Sequence, residues 1–470
     1  VSHDERVTRL LDEVDDEVED GLGIHAEAER WKAHRYDPET APSAVLQLDD
    51  VSGVPFLQDI VGVQYYQLRT RVRAGDGDAY VAACPGMDDY ERYCRDHLGL
   101  GAPRFFQADP VGPPIEVASA CRHGRVFEEL TAWAREVGGI VVHPYMGIDA
   151  VWELAADLAR AAGVPVQVLA PTPPATWYAN DKAHVTALAD RVVAPALDTP
   201  ANVATRTVAT PVEMVAALRE LSTAHDKVAL KMTRFASAMG NRVFDAAELR
   251  AMDDEALTAV VTKYLADKAW RPGMSVLVVR WIDMAPSPST QLWIPPLGHG
   301  RPRLDGIYEQ LLEGPERVFL GSIPSRFGED VHRWLTDASL LMAGVYQRLG
   351  YVGRCSFDFI LDGDQPLFVE CNGRWGGTST PMHLVDRLVP GGRPAYRARD
   401  YVSERWAGMT FSQLAAAVGD ELYDPRTGRG RFVLYNVGCL AFGKFDVIAF
   451  GRDIDEATRA LEEELPRLLA

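Results

Sequence analysis

Asp358, Glu370, Asn372 and Arg374 share one short stretch of chain, and their types suit metal and phosphate chemistry. RCSFDFIL (354–361) and PLFVECN (366–372) read as two strands joined by a turn at Gly363-Asp364. Side chains alternate across a strand, so Glu370 and Asn372 are expected on one face and Val369 and Cys371 on the other. With the turn centred at 364, Asp358 falls opposite Glu370. Two carboxylates and an amide oxygen then converge, a hard-oxygen set that suits magnesium, which keeps some waters and takes phosphate oxygens as further ligands. Arg374 follows, and a guanidinium fork beside such a site can clamp a carboxylate or a transferring phosphoryl group. By itself, a carboxylate pair on a hairpin fits a solvated surface ribbon equally well.

The elements around the hairpin point to an α/β protein. Strand 139–143, helix 149–162 and strand 164–169 make a strand–helix–strand unit, with Gly163 stopping the helix, and this order implies a parallel layer. PTPPATWY (171–178) reads as a linker, which places a boundary near 175 and a first α/β domain over 1–175. From there the pattern becomes α+β: VAPAL (193–197) as a short strand, a helix over 211–223, KVALK (227–231) as a strand, and a loop of small residues over 232–242. A helical stretch over 245–268, strands at 275–282 and 289–294, and a helix over 328–349 lead into the hairpin. The second domain is expected over 176–400, with a covering subdomain at about 225–282, and 401–470 as a small appended α/β unit.

Composition narrows the function classes. At 470 residues, with 47% apolar and 24% charged, the chain is expected to be globular with two or three domains. The balance of 48 basic and 67 acidic residues gives −19, which argues against an extended nucleic-acid surface. No apolar run is long enough for a membrane span, and the acidic, helix-prone start is unlike a secretory signal. Cysteines at 84, 94, 121, 355, 371 and 439 stand singly, without metal-binding spacing, as reduced thiols of a cytoplasmic protein. Neither GxGxxG nor a Walker-type GxxxxGK[ST] occurs.

E-C-N-G-R-W-G-G, with an aspartate twelve residues upstream in an apolar strand, resembles the ATP-grasp superfamily. The resemblance covers about 176–400 and implies two α+β subdomains enclosing ATP, behind a pre-ATP-grasp domain. It assigns two magnesium ions to Asp358, Glu370 and Asn372, and substrate contact to Arg374. It also implies a phosphate-binding lysine at a strand end, matched by Lys231, and a second at a helix start, matched by Lys182 with Asp181 as a cap. The phosphate-covering loop would be 232–242, Ser237 included, although this loop has only Gly240 where the family is usually glycine-rich. The adenine would meet the backbone of Arg280-Trp281-Ile282, with Phe368 on the Glu370 face packing on the ring. SPSTQLWIPP together with ECNGRWGGTSTPMHLVDRLVP is similar to pheganomycin-type peptide ligases of bacterial natural-product pathways, antibiotic biosynthesis among them.

The resemblance thus implies an ADP-forming ligase that activates a carboxylic acid as an acyl phosphate and couples it to the amine of an amino acid or peptide, with homodimerisation a family-level expectation. Two alternatives stand beside it: a ligase of the same fold using ammonia, a hydroxyl or bicarbonate, and an ATP-binding regulatory protein without turnover.

Overall fold

The computed structural model describes the chain except residues 1–2, 56–59, 61, 236–238 and 315–316. Three sheets organise it. The first contains β1 (Val45–Leu48), β2 (Ala79–Ala82), β3 (Arg104–Gln107), β4 (Ile140–Pro144) and β5 (Val166–Val168), in the order β3-β2-β1-β4-β5 with every pair parallel. Parallel strands need crossovers, and helices Gly124–Glu136 and Asp149–Ala162 supply two of them. In the second of these helices Val151, Leu154, Ala155, Leu158 and Ala162 are buried at helical spacing, and Gly163 ends it in the left-handed region (φ 70°).

The second sheet is antiparallel: β6 (Thr205–Val208), β7 (Lys227–Met232), β8 (Asn241–Asp245) and β9 (Val276–Arg280), in the order β6-β9-β7-β8. Helices Pro211–Ser222 and Asp254–Asp267 close its own apolar core, which contains Leu218, Leu230, Val261 and Val278. Thr210 and Glu213 form a reciprocal cap at the start of the first helix.

The third and largest sheet contains β10 (Pro288–Ile294), β11 (Arg303–Glu313), β12 (Val318–Pro324), β13 (Gly353–Asp362), β14 (Gln365–Asn372), β15 (Ala395–Val402), β16 (Phe432–Tyr435) and β17 (Lys444–Gly451). Its order is β14-β13-β10-β11-β12-β15-β17-β16. Helix Glu329–Arg348 packs behind the hairpin end, burying Leu335, Met342 and Tyr346 against Phe357 and Phe359. The strands expected to form a separate appended unit, β16 and β17, instead extend this sheet. Their core also takes in Val72, Tyr93 and Leu100 from the N-terminal part of the chain.

Two local expectations change. Residues 193–197 are helical: they continue a helical run that starts at Lys182 and buries Val185, Leu188, Val192 and Val193, and Pro195 follows a wider turn over Ala189–Val193 rather than interrupting a regular helix. The expected linker is mostly the helix Pro173–Ala179, again opened by proline and with Ala175, Tyr178 and Ala179 buried. Among the described residues no helix is long and apolar enough to cross a membrane.

Candidate active site

The hairpin β13–β14 pairs Asp358 with Glu370 and Ser356 with Asn372. On the other side of β13, Ser289 of β10 lies opposite Asp358. The register builds a continuous polar chain. Ser289 Oγ donates to Asp358 Oδ1 at 2.7 Å, and Asn372 Nδ2 donates to Asp358 Oδ2 at 2.8 Å. Arg374 Nη2 donates to Asn372 Oδ1 at 2.8 Å, while its Nη1 donates to the Trp375 carbonyl. Glu370 pairs instead with Lys182, Nζ to Oε2 at 2.7 Å.

Burial, and then the nearby Glu370 carboxylate, push Asp358 up to about 6. Burial also raises Glu370, but Lys182, Lys231 and Arg374 outweigh it and hold Glu370 below its ordinary value. One carboxylate is thus neutralised by protein cations and its neighbour is not, an arrangement that a divalent cation would complete.

Lys182 starts helix Lys182–Leu188, whose preceding Asp181 accepts from the Ala183 N–H, as a cap does. Lys182 Nζ also donates to the Phe235 carbonyl at 2.6 Å, tying the hairpin to the loop after β7. Lys231 sits near the end of β7, opposite Asn241 of β8 and Leu277 of β9. Among the described residues it has no carboxylate within 4 Å. Desolvation and then the positive charge of Lys182 pull it down to about 8. Ser237 lies outside the described residues; around it, the Met232 N–H donates to the Gly240 carbonyl, which closes the loop.

At the expected adenine hinge, Arg280 reaches Asp362 at 2.5 Å, the Arg280 N–H donates to the Ala204 carbonyl, and the Trp281 N–H donates to the Lys227 carbonyl. That leaves Ile282 with the hinge N–H that has no partner among the described residues.

Phe368 is not on the Glu370 face. The register shifts beyond Asp358, so that Phe359 faces Phe368 and Val369 becomes the extra residue. A bulge of one residue reverses the alternation. Phe368 still borders the cavity, but its ring packs 4.5 Å from Phe359 and 5.6 Å from Phe357 in the core.

A cavity of about 520 Å³ runs from the second sheet across the hairpin, lined by Lys182, Lys231, Arg280, Asp358, Glu370 and Arg374 among others. It also takes in residues that motif reasoning passed over. Ser289 and Gln291 project into it from β10, and Gln291 Oε1 is buried without a partner. The sequence signal was weak: Ser289 and Gln291 flank Thr290, which bonds Ser339 on the opposite face, so the polar run S-T-Q does not show by itself which face is wetted.

Among the described residues no group of three His, Cys, Asp or Glu forms a metal cage. Two carboxylates and an amide oxygen nevertheless fit magnesium, which is commonly held by one or two carboxylates together with substrate phosphates.

Residues 67–160 match the pre-ATP-grasp domain family. In solved structures, the chain is similar to the biotin carboxylase domain of Hydrogenobacter thermophilus 2-oxoglutarate carboxylase, solved as a dimer with MgADP, ADP and bicarbonate. That similarity has 13% identity and a TM-score of 0.52, over 90% of this chain and 89% of that one. It is also similar to Thermus thermophilus N5-carboxyaminoimidazole ribonucleotide synthetase (12% identity, TM-score 0.51, 90% of this chain and 98% of that one). The fold is ATP-grasp behind a pre-ATP-grasp domain. Campylobacter jejuni biotin carboxylase gives a similar result, at 11% identity and a TM-score of 0.52 over 90% of both chains. No curated protein sequence matches the chain.

Proposed function

We propose that the chain is an ATP- and magnesium-dependent ligase that activates a carboxylate as an acyl phosphate and joins it to the amine of an amino acid or peptide. The observation that carries this reading is the convergence of Asp358, Glu370, Asn372, Arg374, Lys182 and Lys231 on one cavity between two sheets. Asp358, Glu370 and Asn372 would hold magnesium, one or two ions, which would supply charge neutralisation at the β- and γ-phosphates.

Lys231 and Lys182 are point charges for the phosphate tail. Arg374 orients the carboxylate by its planar fork and faces the charge that develops during transfer. A carboxylate oxygen attacks the γ-phosphorus and the bond to ADP breaks. The amine nitrogen then attacks the acyl carbon, the C–O bond to phosphate breaks, and the amine gives up a proton. The walls of the cavity position both partners and exclude water from the mixed anhydride.

A pheganomycin-type peptide ligase of a natural-product pathway is the finer form of this reading, supported by the motif resemblance. Bicarbonate as the acid is the second reading, favoured by the carboxylases among the similar structures. Homodimerisation is part of the proposal, supported by the dimer of the 2-oxoglutarate carboxylase domain. The test is magnesium-dependent phosphate release from ATP across acids, bicarbonate included, and amines, with mass spectrometry of the mixtures. A product lighter by one water than an amine and an acid other than bicarbonate establishes amide ligation. Release with bicarbonate alone supports the second reading. ATP binding with no phosphate release under any combination overturns both in favour of a regulatory ATP-binding protein.

A further inference from the structure

The cavity continues past the hairpin to a second polar end, walled by Tyr66, Arg69, Asp400, Asn436, Lys444 and Asp446. Asp400 and Asp446 lie opposite each other on β15 and β17. Most charges here are matched. Lys444 Nζ lies 2.5 Å from Asp400 and donates to the Tyr66 hydroxyl at 2.7 Å. Arg69 reaches Asp49 at 3.4 Å, and Arg73 pairs with the same carboxylate.

Asp446 is the exception. It is 8% exposed, its Oδ2 accepts from Asn436 at 2.8 Å, and its Oδ1 has no partner. Among the described residues no cation lies within 4 Å of it. Burial and then Asp400 push it up to about 8. Asn436, 2% exposed, also has an unpartnered Oδ1, and Arg69, 7% exposed, has an unpartnered Nη2. Arg69 and Asp446 feel each other's charge without touching.

Buried polar atoms in a native fold almost always have partners, and a lone buried carboxylate is costly. Two acceptors and one donor without partners, on one cavity wall, ask for a ligand that brings donors and an acceptor together. Asp446 adds a specific demand: a bound cation would offset the penalty that burial and Asp400 place on its charged form.

Resting on the ligase reading, we propose that this end is the docking subsite of the amine substrate and recognises a free amino group with its adjacent carbonyl or carboxylate, the head of an amino acid or of a short peptide. Asp446 and Asn436 accept from the ammonium, and Arg69 donates to the carbonyl or carboxylate. The Arg69 side of the subsite shares a ring with Arg374. Tyr145 has the Arg374 guanidinium 5.5 Å from its ring centroid and that of Arg69 at 5.1 Å, so at most about 11 Å separates the two.

The experiment is calorimetric titration of the full chain, in the presence of magnesium and a non-hydrolysable ATP analogue, with the standard amino acids, a set of dipeptides and their N-acetylated counterparts. At least one free amine is expected to bind, with acetylation weakening it by at least about 10-fold, the weight of one charge-assisted hydrogen bond. Asp446→Asn is expected to weaken the free amine to the same extent. If that variant does not fold, the acetylation contrast decides alone. Free amino acids binding better than dipeptides would identify the amino acid head, and the reverse order a peptide terminus. Equal binding of acetylated and free forms overturns the subsite. So does silence from the whole panel while the ATP analogue binds, an outcome that leaves the nucleotide site standing. Failure of the ATP analogue itself to bind removes the ligase reading and the subsite with it.

Discussion

The two ends of the cavity each bury an aspartate beside a second carboxylate, but they differ in how far their polar groups bond one another. At the hairpin end, the site-facing groups of Asp358, Asn372 and Arg374 are engaged with one another, and Glu370 is held by Lys182. At the far end, Asp446, Asn436 and Arg69 each leave a polar atom without a partner. The first is largely held by its own bonds: Asp358, Asn372, Arg374 and Glu370 are fixed before a substrate arrives, with Gln291 Oε1 beside them left without a partner, and a bound cation and phosphates would replace existing bonds. The second is incomplete, and binding there would relieve an existing desolvation penalty. A site that holds still suits bond making, whereas a site that gains partners only on binding suits recognition.

The comparison breaks first, and with the largest effect, at Glu370 and Asn372. Each alanine variant is expected to lower magnesium-dependent ADP formation by at least about 100-fold, the scale of lost electrostatic stabilisation. A change at Asp446 should instead act on amine affinity. Near-normal turnover in both hairpin variants, with melting curves unchanged, would show that the hairpin end is not the centre of the chemistry.

The same contrast explains what could be read from the sequence. The hairpin end was legible because its acidic and amide residues lie on two strands joined by a short turn, so spacing and alternation fix which residues meet. The parallel layer was legible from helix 149–162 and its glycine stop. The far end was not: Arg69, Asp400 and Asp446 come from distant parts of the chain and meet only because β16 and β17 extend the central sheet beside the N-terminal segment. No periodicity carries that information. Lys182 was placed by position, but its bond to Glu370 is a tertiary fact.

The next largest effect is expected at Lys231, which lies beyond the polar chain of the hairpin. Replacing it by methionine should raise the Kd for ATP by about 10-fold, the loss of one charged contact to phosphate. Held down to about 8, Lys231 is charged below that pH and neutral above it. ATP affinity of the unmodified chain should therefore fall as pH rises through about 8, and Lys231→Met should remove that dependence. A titration series showing the same slope in both proteins would assign the pH effect elsewhere.

At the far end the expected effect is on stability rather than turnover. Asp446 keeps its proton up to about 8 in the fold, facing Asp400, Lys444, Asn436 and Arg69, whereas an unfolded aspartate loses it near about 3.9. Between those limits the folded state binds the additional proton, so stability should fall as pH rises. Asp446→Asn keeps the shape without the charge, and its melting temperature should fall less over the same range. Parallel curves for the two proteins would remove Asp446 as the group under strain.

The smallest effect on the site is expected at Phe368, and it tests where the bulge at Val369 ends the face shared with Glu370. With its ring packed against Phe359 and Phe357, Phe368→Leu should cost about 1–2 kcal/mol of stability, as a partial core truncation does. Affinity for ATP should change by less than about two-fold, below the weight of a single contact. A ring that stacked on a bound base would give the reverse pattern, a large loss of nucleotide affinity with little change in melting. Alternation alone puts Phe368 beside Glu370; the extra residue at Val369 turns it into the core, and the two measurements together decide between those faces.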